Sequence, residues 1–264
     1  MNLPTAIALQ QVNKVYANGT VALQDLDLTI GESEFVSLLG PSGCGKSTVL
    51  KLIAGLGKLS SGHIHWAGDR TRQKLAFVFQ DAALMPWATV QDNIRLPLKL
   101  AGLSKRATDR AIEEAIDLVH LCGCETSYPR ELSGGMKMRV SIARALVTKP
   151  HVLLMDEPFG ALDEMTRHQL NSDLLELWDE MRWTVIFVTH SIYEAVYLSN
   201  RVVVMAARPG RVVTDVEIKA TYPRPPEFRN SALYSTYCRD VSTRLRQAAG
   251  AEYAVDERVS GSPI

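Results

Sequence analysis

An excess of charge of either sign is missing from this chain. Its 29 lysines and arginines balance 29 aspartates and glutamates over 264 residues. That excludes the strongly basic make-up of a nucleic-acid binder and the acidic make-up of a solvating tail. Long apolar runs are missing too: the longest candidates, such as Val202-Val203-Val204-Met205-Ala206-Ala207, are strand-sized. A bilayer span needs roughly 18–20 such residues. The start, Met-Asn-Leu-Pro-Thr-Ala-Ile, has neither the basic region nor the apolar stretch of a signal peptide. The chain is therefore expected in the cytosol, with any membrane role exerted through a partner. Cysteine is scarce, at four (Cys44, Cys122, Cys124, Cys238), which excludes a small disulfide scaffold. The run His120-Leu121-Cys122-Gly123-Cys124 has none of the usual zinc spacings and reads as a helix end. There is no internal repeat and no low-complexity block. What is present is 46% hydrophobic residues, enough for one large domain or a domain with an embedded subdomain.

Periodicity orders the chain into three parts. Near the start, Ile7 and Leu9, then Val12 and Val15, read as a strand. Asn18-Gly19 marks a hairpin turn, and Leu26, Leu28 and Ile30 alternate on its far side. Phe35–Leu39 is a short buried strand, and Lys46 to Ala54 a helix. Ile64–Trp66 and Leu75–Phe79 are further strands. From about 81 to 148 the spacing turns helical: Thr89 to about His120 is interrupted by Gly102, and a further helix starts near Ser133. Strands then return at His151–Met155, Thr184–Val188 and Arg201–Met205, separated by helical stretches. That alternation predicts a parallel sheet covered on both faces. Beyond Arg208, Val212-Val213 is strand-like and Pro223, Pro225 and Pro226 break regular structure. Ser231 to Ala248 reads as a helix and 250–264 as a loose tail. The expected division is 5–235 for the main domain and 236–264 for the C-terminal helix and tail.

The densest chemical signal lies between the third strand and the first helix. Gly40-Pro41-Ser42-Gly43-Cys44-Gly45-Lys46-Ser47-Thr48 fits the pattern G-x-x-x-x-G-K-[ST]. Glycines let the backbone curl so that its N–H groups converge on phosphate oxygens, and the following helix turns its positive end to the same anion. Lys46 adds a point charge for the β and γ phosphates of ATP, and Ser47 a hydroxyl for Mg²⁺. Placement between a strand and a helix is the context this motif needs. A second signal is Val152-Leu153-Leu154-Met155-Asp156-Glu157. A buried strand carries Asp156 to its end, where ligands sit in α/β sheets. Asp156 can reach Mg²⁺, and Glu157 beside it can polarise an attacking water.

Leu132-Ser133-Gly134-Gly135-Met136 then resembles the signature motif of the ABC transporter ATPases. The resemblance covers about residues 6–217. It implies an α/β P-loop cassette with a parallel-sheet core, an N-terminal antiparallel β subdomain and a helical insert. It also implies a head-to-tail dimer, in which Ser133, Gly134 and Gly135 of one copy close over ATP held by the glycine loop of the other. Further positions match in family order. Tyr16 resembles the aromatic residue that stacks on adenine. Gln80 resembles the glutamine that links Mg²⁺ to the helical insert. Gly160-Ala161-Leu162-Asp163 resembles the loop that touches the partner cassette, and His190 the histidine that contacts the γ-phosphate. Met136 and Met138 depart from the pattern, standing where glutamine is common. The backbone of Gly134 and Gly135 is unaffected, but contacts made by those two side chains are in question.

The resemblance also implies what the hydrolysis drives. Ala83-Leu84-Met85-Pro86-Trp87-Ala88-Thr89-Val90 is unusually apolar for a loop after a charged site. In importers of this family that surface receives a helix of the membrane subunit; local packing of Trp87 is the competing reading. Leu84–Trp87, the Met after the signature glycines, Val188-Thr189-His190 with Glu194–Leu198, and Ala207-Arg208-Pro209-Gly210-Arg211 resemble the nitrate/sulfonate/taurine importer group. Implied partners are a second copy, integral membrane permease subunits and, indirectly, a solute-binding protein, with the chain peripheral on the cytoplasmic face of a bacterial inner membrane. The alternative is an ABC-type ATPase uncoupled from transport and associated with nucleic acid or translation. A chromosome-organising ATPase needs a long heptad insertion, absent here. A translation factor usually has two cassettes and basic linkers, and a small-molecule kinase would not need the signature.

Overall fold

A computed structural model describes residues 3–68 and 74–259. The strands are β1 (Thr5–Val15), β2 (Val21–Gly31), β3 (Phe35–Leu39), β4 (Ser61–Trp66), β5 (Leu75–Val78), β6 (Val152–Asp156), β7 (Thr184–Thr189), β8 (Arg201–Ala206) and β9 (Arg211–Glu217). The helices are α1 (Lys46–Ile53), α2 (Val90–Leu100), α3 (Lys105–Leu118), α4 (Gly134–Leu146), α5 (Glu164–Met181), α6 (Ile192–Leu198) and α7 (Ala232–Val259). Short 3₁₀ turns cover Pro129–Glu131 and Pro226–Asn230. The chain forms two compact units, Met1–Arg70 with Thr184–Ile264, and Thr71–Trp183.

In the first unit β1 lies between β2 and β4, antiparallel to both. The β1–β2 hairpin closes through Asn18-Gly19, with Gly19 at φ 83°. β2 alternates exposed and buried residues, as a strand with one wet face must. The strands β7, β3 and β8 are mutually parallel through β3. Every residue of β3 and β7 is buried, which is why both read as largely apolar runs without alternation, Ser37, Thr184 and Thr189 being their polar members. β9, read in the sequence only as strand-like Val212-Val213, pairs antiparallel with β8. Only four residues, Ala207 to Gly210, separate those strands, too few for a parallel crossover.

The second unit pairs β5 and β6 in parallel and carries α2 to α5. Thr89 and Ser104 cap α2 and α3, each accepting from a backbone N–H three residues on. Gly102, at φ 81°, breaks the helical stretch between them. Ile112, Ile116 and Val119 are buried, at the three- and four-residue spacing that marked this helix in the sequence.

The C-terminus corrects one expectation. α7 continues to Val259, through residues read as a loose tail from 250. Ala251, Glu252, Ala254, Glu257 and Arg258 are strong helix formers, and no proline interrupts them. Residues 260–264 lie outside the described part.

Candidate functional site

Site residues occur in both units, and each set has its own construction. In the first unit, β3 runs straight into the glycine loop and α1 leaves it. Gly43 and Gly45 adopt φ 79° and 92°, a region that side chains avoid. A Cβ on Gly45 would stand 2.6 Å from Leu23 Cδ2. A Cβ on Gly43 would meet nothing within 4 Å, so that position demands glycine for backbone shape and keeps its approach open. Gly45 also precedes the first turn of α1, which no side chain caps. First-turn N–H groups lack intrahelical acceptors, so this helix start suits an anion.

Lys46 is only 3% exposed, and its Nζ donates to the carbonyls of Gly40 (2.8 Å) and Pro41 (3.0 Å). The ammonium is thus held along the loop by neutral carbonyl oxygens. Cys44 turns into the core, and burial pushes its thiol above the usual range despite nearby Lys46. Its N–H donates inward to the Pro41 carbonyl at 3.3 Å. Ser42 is exposed, while Ser47 and Thr48 are half-buried. Tyr16 is 44% exposed, and its hydroxyl lies 3.2 Å from Thr48 Oγ1. Two sequence-predicted residues 32 positions apart are thereby brought together.

His190, also in the first unit, follows β7 and is exposed. The turn that carries it is tightly tied. Ser191 N–H donates to Thr189 Oγ1 (2.9 Å), Glu194 N–H donates to Ser191 Oγ (3.3 Å), and Thr189 bonds the buried Glu194 carboxylate.

Gly210 was not among the residues singled out individually. Its N–H donates to Ala22 O (3.1 Å), its carbonyl accepts from Gln24 N–H (3.0 Å), and a Cβ on it would stand 2.3 Å from Cys44 O. Gly210 therefore packs on the back of the phosphate loop.

In the second unit, β6 delivers Asp156 and Glu157. Glu157 sits at φ 49°, a left-handed conformation that costs a non-glycine residue about 1–3 kcal/mol and gathers at functional sites. Its carbonyl accepts from Gly160 N–H (3.2 Å). A Cβ on Gly160 would lie 3.9 Å from the Gln80 side-chain nitrogen and 4.0 Å from Glu157 Cβ, so Gln80 and Glu157 flank the same glycine. Arg144, a residue missed from the sequence, donates to the carbonyls of Ala82 (2.7 Å) and Ala83 (2.9 Å). It ties α4 to the segment just after Gln80.

Ser133 caps α4, its Oγ accepting from Met136 N–H at 3.3 Å. Gly134 and Gly135 occupy the first turn. A Cβ on Gly135 would meet Thr166 Cγ2 at 2.5 Å, so close packing on α5 is itself a reason for glycine there. Met138 is 4% exposed; an apolar side chain fills that site with no amide to satisfy. Met136 is half-buried. Asp163 caps α5, accepting from Thr166 N–H at 2.9 Å, and that backbone donor holds its carboxyl below its ordinary 3.8. An intrachain role thus accompanies the partner-facing one implied by resemblance.

The apolar loop before α2 resolves one of the competing readings. Trp87 is 75% exposed, so local packing does not account for it. The loop beneath is tied by hydrogen bonds to one side chain. Buried Asn93 accepts from Met85 N–H (2.7 Å) and donates to the carbonyls of Met85, Ala88 and Thr89.

The family model described as ABC transporter matches residues 23–160. The aliphatic sulfonates import ATP-binding protein SsuB of Bacillus anthracis is 46% identical over 224 residues, covering 83% of this chain and 88% of that protein. The chain belongs to the ABC transporter family. Another relative of this ABC transporter chain is an uncharacterized ABC transporter ATP-binding protein of Methanocaldococcus jannaschii, MJ0412. It is 44% identical, with 91% of each chain covered. Among solved structures, the ATP-binding cassette MJ0796, a post-hydrolysis dimer bound to ADP and Pi, superposes with a TM-score of 0.72 at 33% identity. That match covers 81% of this chain and 100% of the other. The fold is therefore the P-loop ABC cassette. Its N-terminal antiparallel sheet and its helices between β5 and β6 correspond to the expected β subdomain and helical insert.

Proposed function

We propose that this chain is the ATP-hydrolysing subunit of an importer for a small sulfonate-like anion. The observation that carries hydrolysis is Glu157: a carboxylate at the end of a buried strand, in a strained backbone conformation, flanking the same glycine as Gln80. The glycine loop binds the phosphates of ATP through backbone N–H groups and Lys46. Tyr16 stacks on the adenine. Glu157 orients water and takes its proton as the oxygen attacks the γ-phosphorus, ADP being the leaving group. His190 holds the γ-phosphate in line. Most of the acceleration comes from positioning and charge compensation, since phosphoryl transfer needs little covalent help.

The residues present suit Mg²⁺. Among the described residues no group of three or more His, Cys, Asp or Glu could hold a metal alone. Mg²⁺ typically takes one or two protein carboxylates and shares phosphate oxygens and water, so Ser47, Gln80 and Asp156 are the residues that would hold it. When bound, the ion neutralises charge on the β and γ phosphates.

A second copy supplies Ser133, Gly134 and Gly135 to the same nucleotide, which the dimeric state of the related MJ0796 cassette supports. No helix of the described residues is long and apolar enough to cross a membrane. The exposed Trp87 supports a docking surface for separate permease subunits; on this reading the chain sits peripherally at the cytoplasmic face of a bacterial inner membrane. The sulfonate class rests on the similarity to SsuB proteins. A solute-binding protein and the permease read the solute; this chain does not. Glu157→Gln tests the central assignment. It should bind ATP normally yet lose turnover on the order of 100-fold or more in a phosphate-release assay; wild-type turnover removes Glu157 from its role. Co-purification with membrane permease subunits supports import, whereas recovery with RNA or ribosomes overturns it.

A further inference from the structure

α6 is seven residues long, under two turns, and cannot hold its own position. Its first residue lies two positions after His190. Its far end presents carbonyls that no further turn can satisfy, and one side chain collects them. Arg224, 3% exposed, donates from Nη1 to the carbonyls of Val196 (3.0 Å), Tyr197 (2.8 Å) and Ser199 (3.0 Å). The guanidinium lies 4.2 Å from the centroid of the Tyr222 ring and 5.6 Å from that of Phe228. A cation at a helix C-terminus is favourable, the more so away from water.

The segment around Arg224 is fastened to the same helix by two further bonds, and α7 adds a third. Tyr222 donates to Leu198 O (3.0 Å), Tyr197 donates to Arg224 O (2.9 Å), and Tyr234 donates to Tyr193 O (3.0 Å). Pro223 and Pro225 flank Arg224 directly; Pro225 is extended, and Pro226 opens the following 3₁₀ turn. Nothing in this cluster approaches the glycine loop in sequence, and none of these side chains belongs to the nucleotide motifs.

We propose that Arg224 is a positioning residue for hydrolysis: by clamping the end of α6 it fixes the turn that carries His190, so the C-terminal segment sets how well the γ-phosphate is held. This rests on the assignment of His190 given above. The clamp acts on alignment for turnover and not on the grip of Lys46, so its loss lowers kcat and spares nucleotide affinity. Misplacement of a positioning group by an ångström can cost up to two orders of magnitude.

The test is steady-state ATP hydrolysis and equilibrium binding of a fluorescent ATP analogue by the full chain, for Arg224→Ala, Tyr222→Phe, His190→Ala and the His190→Ala/Arg224→Ala double variant. Arg224→Ala should lower kcat about tenfold with KM and binding within about twofold of wild type. Tyr222→Phe, which removes one hydroxyl and keeps the ring, should lower kcat about threefold, and it carries the test if Arg224→Ala does not fold. In the His190→Ala background, Arg224→Ala should cost less than about twofold more, because the two act as one unit. Unchanged kcat in the folded variants, multiplicative losses in the double variant, or a loss confined to nucleotide binding each overturns the proposal. His190→Ala alone separates the two claims. If it turns over normally, the assignment of His190 fails and the clamp's catalytic role falls with it. If it is impaired while Arg224→Ala and Tyr222→Phe are not, only the Arg224 inference fails.

Discussion

Two helices of this cassette begin with glycines, and they use them differently. α1 follows Gly43 and Gly45, both at positive φ, and no side chain caps its first turn. α4 holds Gly134 and Gly135 inside its first turn, after a serine that caps Met136 N–H. In α1 the glycines shape a loop and leave the helix start for an anion. In α4 part of the donor set is already used by the protein, and Gly135 is crowded by Thr166 of α5. The same residue type thus answers two demands, a backbone conformation in one place and a close approach in the other. A short glycine-bearing motif does not tell which demand it meets.

The comparison breaks most visibly at the charge. Lys46→Ala should abolish measurable nucleotide binding and lower turnover by roughly 100-fold or more, with calorimetric titration of ATP as the check. The first residue of α4 is Gly134 where that of α1 is Lys46, so a Lys46→Ala variant with normal affinity would make the two helix starts equivalent. Next in size is Gly135→Ala, which should destabilise the chain by about 1–3 kcal/mol in thermal unfolding, because its methyl meets Thr166 Cγ2 at 2.5 Å. Adding Thr166→Ala should restore stability. If it restores turnover as well, the steric reason is sufficient; if turnover stays low, backbone approach to the nucleotide is needed too. The smallest effect is Ser133→Ala, about 1 kcal/mol for a lost cap, read from the same melts. A larger loss of turnover than of stability would assign the hydroxyl to the nucleotide as well as to the helix.

How far the sequence could be read followed the range of the physics. The helix starting near Ser133 was legible because a capping serine and a period of 3.6 are local facts, as were the buried runs of β3, β6 and β7. The antiparallel β9 was not, although the brevity of the Ala207–Gly210 connection signalled it. In the helical stretch up to Val259 the helix propensity of the residues outweighs their place near the chain end, which by itself suggests a loose tail. Arg144, Asn93 and Arg224 were passed over because an arginine or asparagine in sequence reads as surface. Each instead collects main-chain groups from a distant or irregular segment.

By itself the sequence determined the order of motifs, the strands and helices that carry them, and the family, because each rests on residues within a few positions of one another. Tertiary structure alone decided that Trp87 faces outward on a loop locked by Asn93, that Gly135 must admit Thr166, that Gly210 backs the phosphate loop, and that Arg224 clamps the helix after His190. Those facts depend on which groups meet across long separations in the chain. Packing and desolvation set such meetings, and neither leaves a periodic or compositional trace.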